Sequence, residues 1–560
     1  MTRCSRPRVL ALVMAVCSLL ATACSGTSTT QPSASAQPSR VAQLRLAGFG
    51  AGNYGYPTPY ASIRGPGKLL AAYIFDQLTN PDATGIEKPW LAKSWKISPD
   101  GKTWTFTLQS HPVFSDGTPL TTDDVLFSFK YVMRGGPGNK AAPAPNAIAS
   151  VTAPDASTIV IQLNRPDPTF LDEVGGTFGV SIVPRHIWSA VTDPAHFQGT
   201  TALIGSGPYM LTSFDLTAGA YQYTANDKFY LGPPVVQELT YAALPSTADP
   251  LVSLAHGDLD AASAPNSNGG VPQSEFTSLQ SKYTLLTSPG EYNVALHFNL
   301  AKGFPYNSQT FRQAVAYAIN RQDMLKRLVA GRGVPGSVGG LGPDNPWLDT
   351  KLPAYNFDPN KAKAMLTQIG LVDTDGDGIR NLPNGGADLH IPLIVSSTDV
   401  NEAQLVSEYL RAVGIAVDIQ SVDQATMDAG ATAGHYSMAV IHYGGLGSDP
   451  YTRICASYSS VTKGAFSFTR AQGYSNATVD SLCTQIGVTV THATRQGLVN
   501  QLQSIINMDV PLMPLYIPDQ LTFVNSMSFK AWAYTPGCPP CGATSNKLML
   551  ATGHTTESSP

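Results

Sequence analysis

Leu91 to Val132 reads LAKSWKISPDGKTWTFTLQSHPVFSDGTPLTTDDVLFSFKYV. Ser98-Pro99-Asp100-Gly101 has the chemistry of a tight turn, because Pro presets φ and Gly tolerates a positive one. Thr103 to Gln109 then alternates polar and apolar side chains, the period of a strand with one buried face. Ser115-Asp116-Gly117 is a second turn. Thr121 or Thr122 caps the helix that follows, and Asp123 and Asp124 sit in its first turn, where carboxylates suit unpaired amides. Val125, Leu126, Phe127 and Phe129 supply its buried face. Strand, turn and helix in succession make this an α/β chain.

The same alternation extends in both directions. Gln43 to Phe49 has the pattern of a short buried strand, and Leu69 to Leu78 that of an amphipathic helix. Phe311 to Val329 is the strongest helical stretch, with Phe311, Val315, Ala318, Ile319 and Leu325 near helical spacing and Gly331 to close it. Asp358 caps a further helix with Pro359 at its first position and Gly370 at its end. DLHIPLIVSS, NEAQLVSEYLRAVG and IAVDIQSVD follow as strand, helix and strand, a βαβ unit. At 560 residues the chain exceeds what one core organises, so two or more lobes are expected.

Charged residues make up 13% and the net charge is -4, which supplies no basic field for nucleic acid. Mean hydropathy is -0.04, and the long apolar run, Val9 to Leu20, is too short to span a bilayer. With Arg3, Arg6 and Arg8 before it and Ala21-Thr22-Ala23 after it, that run is a secretion signal. Cleavage after Ala23 exposes Cys24 ahead of a Ser/Thr/Pro-rich tether. This resembles a bacterial lipobox with Ala21 where Leu, Val or Ile is commonest, and lipidation of Cys24 is expected; ordinary signal cleavage is the other reading. Of the seven cysteines, Cys4 and Cys17 leave with the signal. Cys455, Cys483, Cys538 and Cys541 remain, and an even number in an oxidising compartment points to two disulfides. Three pairings exist; the closeness of Cys538 to Cys541 makes Cys455 with Cys483 the natural second pair. A redox or half-zinc reading of Cys538-Pro-Pro-Cys541 lacks a second CxxC or a His pair.

Taken in order, the Leu91–Val132 stretch, IGSGPYMLTSF from Ile204, Asn226-Asp227-Lys228-Phe229-Tyr230, FRQAVAYAINRQDMLKRLVAGRGVPGSVGGLGPDNPW, DPNKAKAMLTQIGLVDTDGDGIRNLPNG and LMPLYIPDQLTF resemble the peptide- and nickel-type ABC solute-binding proteins, family 5. The resemblance implies a periplasmic-binding-protein-like clamshell of two α/β lobes with an additional lobe, closing on a solute. The organisation it implies is signal 1–23, anchor and tether 24–40, first lobe 41–90 and 204–290, additional lobe 91–203, second lobe 291–524, and a return to the first lobe over 525–560. It further implies an extracytoplasmic, lipid-anchored monomer that captures oligopeptides or related solutes and delivers them to permease and ATPase subunits, without catalysis, cofactor or metal.

Pockets of this kind are aromatic with a few fixed polar groups. The candidates are Tyr54, Tyr56, Tyr60 and Arg64 before the first helix, Tyr292 and Asn293 at the lobe crossover, Tyr443, Gly444, Gly445, Leu446 and Asp449 in HYGGLGSD, and Tyr516. For each aromatic, core packing fits as well. The HYGGLGSD loop is favoured, since in relatives it lies at the cleft. Many peptide-binding relatives hold the ligand's amino terminus with an Asp just after the cleft aromatic, and Leu446 occupies that position here. Asp449, in an Asp-Pro pair, shapes the turn or reaches in.

Other chemistry fails on inspection. Gly48-Phe49-Gly50-Ala51-Gly52 misplaces its third glycine for a dinucleotide loop, and no GKS/T loop, HExxH or GxSxG occurs. Asp373, Asp375, Asp377 and Gly378 begin like a calcium loop but lack its closing Glu, which leaves an acidic turn. An envelope lipoprotein acting as regulator or scaffold is the second functional reading, and a secreted hydrolase the third.

Overall fold

The computed structural model describes residues 40–47, 55–61, 65–134, 147–176, 179–244, 250–264, 273–289, 292–337, 339–342, 345–444, 449–460, 472–534 and 546–556. The signal, Cys24 and the tether, Gly48 to Gly52, and the Cys538–Cys541 pair lie outside them. Among the described residues no helix is long and apolar enough to cross a membrane.

Leu91–Val132 folds as its pattern requires. Ala92–Ile97 (β2) and Thr103–Leu108 (β3) pair antiparallel around the Ser98–Gly101 turn. Gly101 has φ +69, the conformation for which glycine is suited. Ile148–Asp155 (β4) and Thr158–Leu163 (β5) complete a four-stranded sheet, the additional lobe. Thr122–Met133 (α2) starts with a capping box between Thr121 and Asp124. Its buried face is Val125, Ser128, Phe129 and Val132; Leu126 and Phe127 are only half-buried, because they lie off the helical stripe that meets the sheet.

A 12-stranded sheet runs through both main lobes. Its first-lobe part contains Val41–Ala47 (β1), Tyr209–Asp215 (β6), Ala220–Ala225 (β7), Val236–Ala242 (β8), Ala261–Ser263 (β9) and Thr284–Pro289 (β10). Its second-lobe part contains Tyr292–Phe298 (β11), Gly333–Pro335 (β12), His390–Ser396 (β13), Ala416–Val422 (β14) and Met438–Gly444 (β15). Leu512–Val524 (β16) belongs to both. From Leu512 to Tyr516 it pairs with β11, and from Asp519 to Val524 with β10. Order across the sheet is β14-β13-β15-β11-β16-β9-β1-β8-β7-β6. Separate apolar cores lie under the two lobes, one around Phe75, Trp188 and Tyr223, the other around Phe311, Leu393 and Val406.

The expected βαβ unit is present: β13 and β14 run parallel, His390 beside Ala416 through Ser396 beside Val422, with Val400–Arg411 between them. Asp358 caps Pro359–Gln368 by accepting from the Lys361 amide at 2.9 Å.

Two helices differ from their patterns. Leu69–Leu78 is expected as one helix, but the helix is Gly65–Ala72 (α1), and the chain then pairs with the glycine-rich segment. Gly207 and Tyr209 amides donate to the Ile74 and Tyr73 carbonyls at 2.8 and 3.1 Å. A Cβ on Gly205 would stand 2.1 Å from the Ile74 oxygen, so glycine permits this approach. Phe311–Val329, expected as one helix, is two, Gln309–Ala318 and Arg321–Val329. Ile319 turns extended, and Asn320 restarts the helix by accepting from the Asp323 amide at 3.0 Å. A hydrophobic pattern carries across such a break; only Asn320 marks it.

Candidate functional site

The chain crosses between main lobes between β10 and β11 and again within β16, at Ile517 to Asp519. Both crossings lie where β13 and β15 end. Carboxyl ends of parallel strands leave a crevice, the usual ligand position in α/β sheets. The two crossings and the carboxyl ends of β13 and β15 therefore share one edge of the second-lobe sheet.

Asn293 and Tyr443 pair across β11 and β15, as do Tyr292 and Gly444. Asn293 is buried. Gly445 and Leu446, and also Tyr54 and Arg64, lie outside the described residues. Tyr516 is buried on β16 and donates its hydroxyl to Glu402 Oε1 at 2.8 Å. Burial pushes the Glu402 carboxyl above its usual range, with Tyr516 opposing. Its other oxygen has no partner among the described residues. Asp399 and His442 pair at 3.2 Å beside it. Burial pulls His442 down, and the Asp399 carboxylate more than reverses this, so the imidazole is held above its ordinary value.

Asp449 is taken by another charge. Arg495 NH2 donates to its Oδ1 at 3.0 Å, NH1 reaches Oδ2, and the Tyr451 amide donates to Oδ1 at 2.8 Å. The carboxylate thus shapes the turn and balances a buried guanidinium. Cys455 and Cys483 are joined, fastening the segment after this turn to Ala477–Ile486.

Tyr56 and Tyr60 meet residues of the first and additional lobes. Tyr56 exchanges hydrogen bonds with the Gly199 backbone and meets Phe214 edge-on, while Tyr60 packs on Tyr131 and Trp188. The Asp373, Asp375 and Asp377 carboxylates cluster on the surface, yet Asp373 accepts from the Gly376 and Gly378 amides and Asp377 from the Ile379 amide. They serve their own turn.

Asp399, Glu402 and His442 were not singled out from sequence. One signal existed: Glu402 shares a helical stripe with Val406, Tyr409 and Leu410, a carboxylate on a buried face.

The profile of the bacterial extracellular solute-binding proteins, family 5 (middle), matches residues 87–465. The nickel-binding periplasmic protein of Escherichia coli K12 is 27% identical over 400 residues, covering 69% of this chain and 73% of its own. NikA from Brucella suis, solved with Fe(III)-EDTA, superposes with a TM-score of 0.73 at 21% identity, covering 87% of this chain and 96% of NikA. The oligopeptide-binding protein AppA from Bacillus subtilis, solved with a nonapeptide, gives 0.67 at 22%, covering 91% and 99%. A profile spanning more than half the sequence, on a clamshell of the matching architecture, makes this chain a member of the family 5 bacterial extracellular solute-binding proteins.

Proposed function

We propose that the chain is the lipid-anchored receptor of an ABC importer, which encloses a peptide or peptide-like solute between its lobes and presents it to a permease. The observation that carries this is the family match over 87–465, supported by the two chain crossings at the ends of β13 and β15. AppA holds a nonapeptide and NikA a metal chelate, so the fold accepts both extended and compact solutes. The lobe boundaries we propose are those given from sequence, with the return to the first lobe placed inside β16, near Ile517 to Asp519, instead of after Val524: β2 to β5 fall within 91–203, and β11 to β15 within the second lobe. Mass spectrometry of small molecules that co-purify with the protein tests the reading. A peptide-like solute supports it, and a protein that carries no solute and gains thermal stability from none refutes it.

The solute we propose lacks a free α-amino group at the HYGGLGSD loop. A buried ammonium needs a paired carboxylate. Leu446 cannot supply one, and Asp449 is engaged by Arg495. Calorimetry with matched free and N-acetylated peptides is expected to show wild type indifferent to acetylation. Leu446→Asp is expected to prefer the free amine by about tenfold or more, about 1.4 kcal/mol. Wild-type binding that acetylation abolishes overturns this.

The anchor has its own test. Cys24→Ala is expected to shift the protein from the membrane fraction to the medium, because stable attachment needs more than one acyl chain and this residue is the proposed point of acylation. Full retention in the membrane fraction refutes the lipid anchor.

A further inference from the structure

The helix Val400–Arg411 begins with two carboxylates that do not serve it. Asp399 stands at its N-cap, where an Asp side chain ordinarily accepts from the second or third helical amide, and makes no such bond. Glu402 stands at the third helical position, from which a Glu closes a capping box by reaching back to the cap amide. Here the cap amide donates to the Ser396 carbonyl, at 2.9 Å. Both side chains are turned to the sheet instead. Asp399 Oδ2 lies 3.2 Å from His442 Nε2, and its Oδ1 accepts from the Thr398 hydroxyl at 3.1 Å. Glu402 Oε1 accepts from the Tyr516 hydroxyl.

The two recipients stand side by side. His442 on β15 and Tyr516 on β16 are both register partners of Val294 on β11. Partners in antiparallel strands share a face, so His442, Val294 and Tyr516 form one row across three strands, and the start of the helix lies over that row. Beyond it the β11–β15 ladder has two more rungs, Asn293 with Tyr443 and Tyr292 with Gly444, and β16 begins its crossing at Ile517. The grip therefore falls at the last rungs before the edge that the crossings share with the ends of β13 and β15. An apolar contact would hold the helix down without the cost of burying charge. What the ion pair adds is direction, because it forms only while His442 keeps its place in the register.

We propose that Asp399 and His442 are positioning residues, whose pair keeps the last two rungs between β15 and β11 formed and so fixes the backbone at Tyr443 and Gly444. The proposal rests on the reading of this edge as the solute side of the second lobe. A proton dependence follows. The charges of Asp399 and Glu402 act on His442, and burial holds the Tyr516 phenol beside Glu402 neutral. The neighbouring strand ends, Tyr292–Val294 on β11 and Leu393–Ser396 on β13, carry no charged side chain. Burial lowers the imidazole, but the bond to Asp399 and the charges of both carboxylates more than reverse this, so it keeps its proton above the ordinary 6.5. A group raised in the folded state contributes in full below its unfolded value and loses that contribution as pH rises through the folded one. The rungs are thus firmest in mild acid and weaken towards alkaline pH, where a neutral imidazole still donates but without its charge.

Hydrogen exchange on the solute-free full chain at pH 6.0 and 8.5 tests this, read residue by residue and corrected for the intrinsic rate at each pH. In wild type, protection over His442–Gly444 is expected to fall about fivefold from pH 6.0 to 8.5, the difference between a charge-assisted and a neutral hydrogen bond, while Met438–Val440 stays as it is. His442→Gln, whose amide donates without a charge, is expected to show the alkaline wild-type level at both pH values, again with Met438–Val440 unchanged. Asp399→Asn carries the same expectation; should it misfold, which its protection over Met438–Val440 reports, His442→Gln alone decides. Wild-type protection equal at both pH values, or the wild-type profile surviving in His442→Gln, overturns the proposal. So does a loss spread evenly over β15 in the variants, since that is what a merely structural pair would give. No solute enters the measurement, so failure here leaves the receptor reading standing, and a protein that binds no solute refutes that reading without altering this profile.

Discussion

Lys547→Met is expected to destabilise the protein by about 3–5 kcal/mol, because it strands a buried carboxylate. Lys547 opens the C-terminal helix Lys547–Thr552 and is 3% exposed. Its ammonium lies 3.3 Å from Asp76 Oδ1 and 2.9 Å from Gln77 Oε1, and 5.1 Å over the Trp90 ring. Asp76 is fully buried and also accepts from the Trp90 indole at 2.7 Å and the Ser206 hydroxyl at 3.3 Å. Burial already raises Asp76 above its usual range, and Lys547 is the main opposing influence. Without the cation the carboxyl rises further. A carboxyl raised in the folded state contributes least destabilisation when protonated and loses stability as pH rises towards its folded value. The deficit is thus expected to be larger at pH 8 than at pH 5, read as denaturant midpoints. Asp76→Asn combined with Lys547→Met is expected to recover part of the loss. A single variant with an unchanged midpoint at both pH values contradicts this account.

Arg495→Ala is the second large effect, again about 3–5 kcal/mol from breaking a buried charge pair. Arg495 joins the Asp449 turn to the Ile486 carbonyl, so its loss frees the segment that leads out of the HYGGLGSD loop. Arg495→Lys is expected to restore only a minor part, since one ammonium cannot span both carboxylate oxygens and the carbonyl. Guanidinium unfolding of the three proteins decides it. Lysine that restores full stability would mean that charge alone matters.

Elements governed by neighbouring residues were legible in sequence. The Thr121 cap, the Asp358-Pro359 start and the parallel β13 and β14 pair each depend on a few adjacent side chains, and each is where the pattern puts it. The break at Ile319-Asn320 was not legible, because apolar spacing carries on through a cap. Partnerships across the chain were hidden for a different reason. Asp76 and Lys547 are 471 positions apart, and nothing local announces that they meet. The site divides in the same way: Tyr516 and Asn293 stand at the crossing, Tyr56 is committed to the Gly199 backbone and the Phe214 ring, and Glu402 acquires its role only when β16 brings Tyr516 over α-helical residues 400–411.

The shared strand β16 also bears on how such a chain comes to be folded. Leu512 to Val524 is an interior strand of the sheet in both lobes, and it is made after nearly all the residues that it pairs with. A polypeptide emerging from its amino end therefore lacks the middle of both sheets until about Val524 has appeared. Neither main-lobe sheet can be complete before this strand has been made, whereas the four-stranded sheet of 92–163 draws on earlier residues alone. Late arrival of the shared strand is thus a consequence of topology alone, and it couples completion of one main-lobe sheet to completion of the other.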